Sequence, residues 1–469
     1  MDLKDGIYMV VGGGRSGVST AKFLSGKNKK VYLTDTKEYE DIVPLGFGID
    51  TIKDDKNITF ILGRQPKEEE IKECEMMIVS PSVPPKAFPI VTAKKNDIPV
   101  YSEFEFANSF CKGYEVAITG TNGKTTTTTL VGEIFKNAGY DTYVNGNIGN
   151  SFINDAEKGD DNSVYALEVS SYQLELNDKF KPDIAIMTNI TPDHLERHST
   201  FEEYVRVKGN VFVNQDENDY LIVNKEDKIL TGLSENAKSK VLTFTVKEDK
   251  NANAYLKDEN IIIDFKGEVY PLININELKL YGLHNVMNVM AASLAAVVKG
   301  VEKENLINTL KNFKSVEHRI EYVDTVDGIE YINDSKGTNV DATVTAMKAM
   351  KKKTVLMLGG YDKMTPFDEL VKSINDNIKC IVLYGAVQNK IKDTLDKYDY
   401  KNYHMVQGGF DEVCIKATSL ADKGECVLLS PATSSFDMFD DYEQRGRAFK
   451  SYVKNLRRAF KSYVKNLKG

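Results

Sequence analysis

Residues Val116–Thr125 read VAITGTNGKT, a run of β-formers that passes into glycines and ends on Lys-Thr. That order dictates a strand, a phosphate-cradling loop and a helix. Glycine lets backbone N–H groups approach an anion closely, and the following helix turns its positive dipole end to the same point. Lys124 then reaches the β- and γ-phosphates, and the Thr125 hydroxyl faces a bound Mg²⁺. The loop, Gly120-Thr121-Asn122-Gly123-Lys124-Thr125, is two residues shorter than the common G-x-x-x-x-G-K-[ST] form. A helix is expected from Thr126 over 126–136. The stretch specifies a site for a nucleoside triphosphate.

Outward from this loop, short β-rich runs alternate with helical stretches almost throughout. They include Ile7–Val11, Val31–Leu33, Ile58–Leu62, Met76–Val79, Val164–Leu167, Ile184–Met187, Val355–Leu358, Ile381–Leu383 and Val427–Leu429. The alternation predicts α/β domains on largely parallel sheets. A chain of 469 residues exceeds one ordinary core, and three domains are expected, over 1–103, 104–314 and 315–469. A helix over His284–Lys299 should close the second.

Bulk composition narrows the function classes. Charged residues at 28% and hydrophobic ones at 41% fit a soluble globular protein, and a net charge of -8 argues against a duplex nucleic-acid binder. No apolar run approaches the ~18 residues of a membrane span, and the start, MDLKDGIYMVVGGG, reads as a first strand and not a leader. Five cysteines (Cys74, Cys111, Cys380, Cys414 and Cys426) lack paired metal spacing, as expected of reduced thiols in a cytoplasm.

Two further stretches stand out. Gly12-Gly13-Gly14-Arg15-Ser16-Gly17 follows a strand, with Asp35 ending the next, which satisfies the dinucleotide fingerprint. A diphosphate can sit on that helix N-terminus, but nothing downstream resembles a hydride-transfer site. At the other end, Arg447–Leu456 reads RAFKSYVKNL, and Arg458–Leu467 repeats it letter for letter eleven residues on. Eleven residues are about three helical turns, so one continuous helix would carry the stripe Phe449, Tyr452, Val453 and Leu456 twice. The first copy can cap the last domain. The second has no obvious core to meet and reads as a duplication or artefact within 458–469.

The phosphate loop and the motifs after it resemble the Mur ligase family of cell-wall enzymes. The motifs are TGTNGKT (119–125), GNIG (146–149), EVSSYQLE (168–175), TNITPDHLERH (188–198), GLHNVMN (282–288), EHR (317–319), NDSKGTN (333–339) and SPATSSFDMFDDYEQRG (430–446). The last two look like the branch that adds D-glutamate to UDP-N-acetylmuramoyl-L-alanine. The fold implied has three domains: a Rossmann-like N-terminal UDP-binding domain, a central P-loop ATPase-type domain, and a C-terminal Rossmann-like domain for the amino acid. The sequence departs from the family at Ser82, where glycine is common, at Gly337, where alanine is usual, and at Tyr442, where Phe is frequent.

The reaction implied is ATP-driven amide formation through an acyl phosphate, which calls for positioning and charge neutralisation. Glu168, at a strand end, suits Mg²⁺ by its own chemistry; its bland reading is an acid in water. By resemblance His194 holds a second Mg²⁺ and Lys208 is a carbamylated lysine, although on its helix it otherwise reads as a solvated lysine. His198 is expected to be structural. Asn285 and Asn288, at i and i+3, suit an adenine or ribose edge or, equally, buried amide pairing within the helices. The family pattern gives Arg319 to the γ-phosphate, Asp334 to ribose and Lys336 to the transferring phosphate. It gives Arg15, Ser16, Asp35, Thr36, Lys37, Asn147 and Ser170 to the sugar nucleotide. Thr338, Lys363, Ser435, Phe436 and Tyr442 fall to D-glutamate. A monomer without membrane or nucleic-acid partners is expected, with domain motion during turnover.

Two other readings remain open. A sister Mur ligase or a folylpolyglutamate-type enzyme would change the amino acid, but the D-N-P-R-type motif of the diaminopimelate- or lysine-adding members is missing. A nucleotide-binding switch that lost ligation is opposed by the joint presence of Lys124, Glu168, His194, Lys208, Asp334 and Lys336.

Overall fold

The structure, a computed structural model, describes residues 1–280, 282–314, 317–362 and 366–467. Three sheets organise it. The first is a five-stranded parallel sheet of β1 (Ile7–Val11), β2 (Lys30–Thr34), β3 (Ile58–Ile61), β4 (Cys74–Val79) and β5 (Val100–Ser102), in the order 3-2-1-4-5. Chain order reverses between β1 and β4. A doubly wound sheet opens its ligand crevice there, outside the carboxyl ends of the strands.

The second sheet has nine strands. They are β6 (Tyr114–Thr119), β7 (Thr142–Gly146), β8 (Val164–Glu168), β9 (Ile184–Met187), β10 (Tyr220–Asn224), β11 (Lys240–Thr245), β12 (Ala254–Lys257), β13 (Asn260–Phe265) and β14 (Glu268–Asn274). Their order is 14-13-12-11-10-9-6-8-7. β8 and β9 are buried along their whole length, as strands covered on both faces must be. Pairing is parallel from β7 across to β12 and antiparallel through β13 and β14. The largely parallel sheet is as expected, with an antiparallel meander added at one edge.

The third sheet comprises β15 (Glu321–Val326), β16 (Ile329–Asn333), β17 (Thr354–Gly359), β18 (Ile378–Tyr384), β19 (Tyr403–Met405) and β20 (Cys426–Leu429), in the order 15-16-20-17-18-19. It is parallel apart from the β15–β16 hairpin. The chain divides into two compact units, Met1–Ile275 with Met287–Lys311, and Asn276–Val286 with Asn312–Gly469. The first two sheets lie in the first unit.

The chain closes on one helix, Tyr442–Leu467, continuous through the repeat as expected. Its Phe449 and Val453 side chains are fully buried, and Tyr452 and Leu456 pack against the same cluster. Phe460, from the second copy, packs there too, and Arg457 pairs with Asp324 at 2.5 Å. At Phe460 the second copy therefore does meet a core, against expectation. All five cysteines are free, and among the described residues no helix is long and apolar enough to cross a membrane.

Candidate active site

The phosphate loop joins β6 to the helix Lys124–Asn137. Gly123 has φ +87°, and a Cβ there would lie 2.5 Å from Asn288 Oδ1. Only glycine lets Asn288 pack so closely on the loop. The residues after β9 brace the same turn: the Thr188 hydroxyl donates to the Asn122 carbonyl at 2.6 Å, and the Asn122 N–H donates to Asn189 Oδ1 at 2.8 Å. Thr121 Oγ1 donates to the Thr191 carbonyl at 3.0 Å. Lys124 curls back and donates to the carbonyls of Gly120, at 2.9 Å, and Thr121, at 2.8 Å. Thr125 and Thr126 are buried in the first turn.

Glu168 ends β8 beside this loop and is buried, not bathed in water. Asn147 Nδ2 donates to its Oε1 at 3.0 Å, while Oε2 is buried without a hydrogen-bond partner. An orphaned carboxylate oxygen of this kind suits a cation. Ser170 caps the following short helix in a reciprocal box with Gln173.

Lys208 is 1% exposed, which overturns its reading as a solvated lysine. The helix Phe201–Gly209 turns its buried face inward, and Nζ donates to the Gly120 carbonyl at 2.8 Å and lies 4.9 Å from the Tyr204 ring centre. Burial, reinforced by the Lys124 charge, holds this amine well below the usual lysine range. Among the described residues no group of three or more His, Cys, Asp or Glu side chains gathers into a metal-binding set.

His194 stands in the left-handed region at φ +52°, and its Nδ1 lies 3.1 Å from the Tyr172 hydroxyl. His198 is buried against Ser171 Oγ at 3.0 Å, in keeping with a structural role.

A cleft of about 950 Å³ opens at the switch point of the first sheet. Arg15, Ser16, Asp35, Thr36 and Lys37 line it, with Ser82, and Asn147 and Tyr172 close one side. Asp35 uses both oxygens on backbone, accepting from Gly13 N at 2.7 Å and Lys37 N at 3.0 Å. It shapes the loop from within. Arg15 Nη1 donates to the Gly149 carbonyl at 3.0 Å. Sequence reasoning missed Arg197, which pairs with Glu175 at 2.6 Å and donates to the carbonyls of Pro81, Ser82 and Val83. Arg197 and Glu175 both stand in family-like motifs, but only the fold reveals whose carbonyls the arginine meets.

In the second unit Asp334 ends its turn buried, accepting from Ile320 N at 3.1 Å and Ser430 Oγ at 2.7 Å. Burial pushes its carboxyl up to about 7, against the pull of Arg319 and Arg445. A Cβ on Gly337 would collide with Asp334 Oδ2, so the departure from alanine there lets this carboxyl sit close to the turn. Lys336 Nζ lies 5.6 Å from the Tyr442 ring centre. Arg445, another residue missed, is fully buried and ties two turns together. Nε donates to Ser335 Oγ at 2.9 Å, and the Nη atoms donate to the carbonyls of Ser335, Thr433 and Ser434. Ser435 is buried beside them, whereas the Phe436 ring is exposed. Thr338 follows Lys336 in the same turn, its N–H donating to the Lys336 carbonyl at 2.8 Å. Asn285 and Asn288 are both buried on the helix Leu283–Lys299. Lys363 lies outside the described residues.

Comparison with known proteins agrees with this arrangement. Family models match in three places: Mur ligase MurD-like N-terminal domain over 7–102, Mur ligase middle domain over 118–296, and Mur ligase glutamate ligase domain over 318–433. A UDP-N-acetylmuramoylalanine–D-glutamate ligase of Thermoanaerobacter pseudethanolicus is 43% identical, covering 97% of this chain and all of the relative. A protein of the same name from Clostridioides difficile is 37% identical, over 97% of this chain and 100% of its own. Among solved structures, the UDP-N-acetylmuramate-alanine ligase MurC of Thermotoga maritima superposes with a TM-score of 0.59 at 18% identity, covering 96% of this chain and 100% of that one. MurF of the same organism, in complex with ADP, gives 0.56 at 14%, covering 91% of this chain and 95% of its own. On matches that span all three sheets, the chain belongs to the Mur ligase family.

Proposed function

We propose that this enzyme is the ATP-dependent ligase that joins D-glutamate to UDP-N-acetylmuramoyl-L-alanine, in the cytoplasm, as a step of peptidoglycan precursor synthesis. One observation carries the reading: Lys124, Glu168 and the buried Lys208 converge on a single phosphate loop, beside a separate cleft built for a nucleotide-linked substrate. Full-length relatives of that name support the choice of amino acid. In this reading residues 1–103 hold the UDP moiety, 104–314 the ATP and 315–469 the amino acid.

The substrate's alanyl carboxylate attacks the γ-phosphate of ATP, the bond to the β-phosphate oxygen breaks, and the acyl phosphate forms as ADP leaves, with Lys124 offsetting charge on the phosphoryl oxygens. The neutral amine of D-glutamate then adds to the acyl phosphate carbonyl and loses one proton to solvent. The tetrahedral adduct collapses to amide as the C–O bond to phosphate breaks and inorganic phosphate leaves. Arg319, Asp334 and Lys336 are proposed for the nucleotide, with Asn285 and Asn288 at its base or ribose. Thr338, Lys363, Ser435, the Phe436 N–H and Tyr442 are proposed for the two carboxylates of D-glutamate. Thr125 and Glu168 fit one Mg²⁺; His194 and a carbamylated Lys208 fit a second. Bound Mg²⁺ would neutralise phosphate charge. A monomer is proposed.

ATP-dependent phosphate release with UDP-N-acetylmuramoyl-L-alanine tests this, scanning D-glutamate against L-glutamate, L-alanine, L-lysine and diaminopimelate. Release with D-glutamate alone is expected. Release with another amino acid would move the chain to a sister activity, and no release would sink the ligase reading.

A further inference from the structure

Strand β5 ends at Ser102, and Glu103 follows at the first position of the short helix Glu103–Asn108. Its side chain is 2% exposed, and Oε1 is buried without a hydrogen-bond partner. Two residues on, Glu105 is also buried, but its oxygens accept the N–H groups of Lys179 at 2.7 Å and Asp178 at 3.1 Å. One acid of the pair is satisfied by the fold. The other keeps acceptor capacity that no protein group uses. Leaving a buried carboxyl in that state is destabilising, which points to a hydrogen-bond donor that arrives from outside.

Glu103 lines a recess of about 180 Å³ with Ser16, Asn147, Ser151 and Gln173. Arg15, Ser16, Pro81 and Asn147 line both this recess and the larger cleft, so the recess that Glu103 lines adjoins the cleft. A carboxyl set beside a diphosphate would repel it, whereas hydroxyls and amide N–H groups meet such a wall of acid, amide and hydroxyl side chains well. Burial also pushes the Glu103 carboxyl up to about 7, so near neutrality it can accept from a donor or donate to a carbonyl.

We propose that Glu103 is a specificity-determining residue that hydrogen-bonds a hydroxyl or amide N–H of the N-acetylmuramoyl-alanyl portion of the sugar nucleotide. It reads the sugar side of the substrate and leaves the UDP to the loops after β1 and β2. This rests on the ligase reading above and adds to it a residue with a separable effect.

Calorimetric titration of the full chain with two probes, UDP and UDP-N-acetylmuramoyl-L-alanine, separates the alternatives. Glu103→Gln and Glu103→Ala should keep UDP affinity within about twofold and lose about 10- to 100-fold for the complete sugar nucleotide. Glu103→Gln should lose less, because its amide oxygen still accepts. KM for the sugar nucleotide should rise by the same factor, with KM for ATP and D-glutamate unmoved. Equal losses for both probes, or none for either, overturn the proposal. So does failure of both variants to fold, which would make Glu103 structural. A wild-type chain that binds UDP and ATP but not the sugar nucleotide would sink the ligase reading instead.

Discussion

Burial beside Lys124 drives the Lys208 amine toward its neutral form, and a neutral amine is the species that adds to CO₂. In the proposed carbamylation its nitrogen would bond to the CO₂ carbon, one proton would leave to solvent, and a carboxylate would stand at the phosphate loop in place of the amine. Lys208→Ala should therefore lower phosphate release by about a thousandfold, with millimolar acetate or propionate restoring part of it. Full activity in that variant, or no rescue by either acid, would remove the carbamate from the reaction. Asn147 acts on the neighbouring acid by holding Glu168 Oε1. Asn147→Ala should raise the Mg²⁺ concentration for half-maximal activity about tenfold or more, as loss of a ligand's hydrogen-bond partner typically does; an unchanged midpoint would show that Glu168 needs no such guide. How much of this is legible in the sequence differs by residue. Lys124 and Thr125 announce themselves through glycine spacing. Lys208 does not, because burial is a property of what packs over a helix and not of the helix. Arg197 and Arg445 stay hidden for a related reason: beside one side-chain partner each, Glu175 and Ser335, they meet backbone carbonyls 114–116 and 11–110 residues away, which carry no side-chain signature.

At the scale of elements, strand positions are readable wherever β-branched residues cluster between turn formers, and β1 and β9 match the expected bounds at Ile7–Val11 and Ile184–Met187. The antiparallel edges escape that reading, although their turns stand in the sequence. Asp327-Gly328 joins β15 to β16 with φ +49° and +82°, and Lys266-Gly267 joins β13 to β14 with φ +50° and +84°. These are two-residue hairpin connections, which parallel strands cannot use. The C-terminal helix gives the prediction for this scale. A chain ending at Leu456 loses the Arg457–Asp324 pair and the packing of Phe460, so thermal unfolding should come a few degrees earlier, about 1–2 kcal/mol. Phosphate release at 25 °C should persist. An unchanged melting temperature would mean that Phe460 contributes nothing to the core.

For the whole molecule, three buried carboxyls set a common pH response. Burial pushes Glu103 and Asp334 up to about 7 and Glu115 to about 8. Each would lose its proton near 4 in the unfolded chain, so the folded state binds more protons throughout the interval between. Stability from these groups is complete at low pH and is lost as pH rises through about 7 to 8. The histidines with resolved shifts are pushed down, His284 to about 4, so they stay neutral in both states above their ordinary range. Between about pH 7.5 and 8.5 the melting temperature should therefore fall as pH rises. Glu115→Gln, far from the phosphate loop on β6, should flatten that fall in calorimetric scans at pH 7.5, 8.0 and 8.5. An identical slope in the variant would mean that Glu115 does not titrate in the window.

The repeated tail has a consequence for how such a chain can lengthen. Eleven residues close about three turns, so an inserted copy returns each side chain to nearly the bearing of its original and leaves the contacts upstream undisturbed. A step of nine or thirteen would have swung the lysines and arginines of the copy over the apolar row. Tolerance here is therefore a matter of phase: added lengths of about seven, eleven or eighteen residues keep the apolar row over the domain beneath, and lengths between them turn it away.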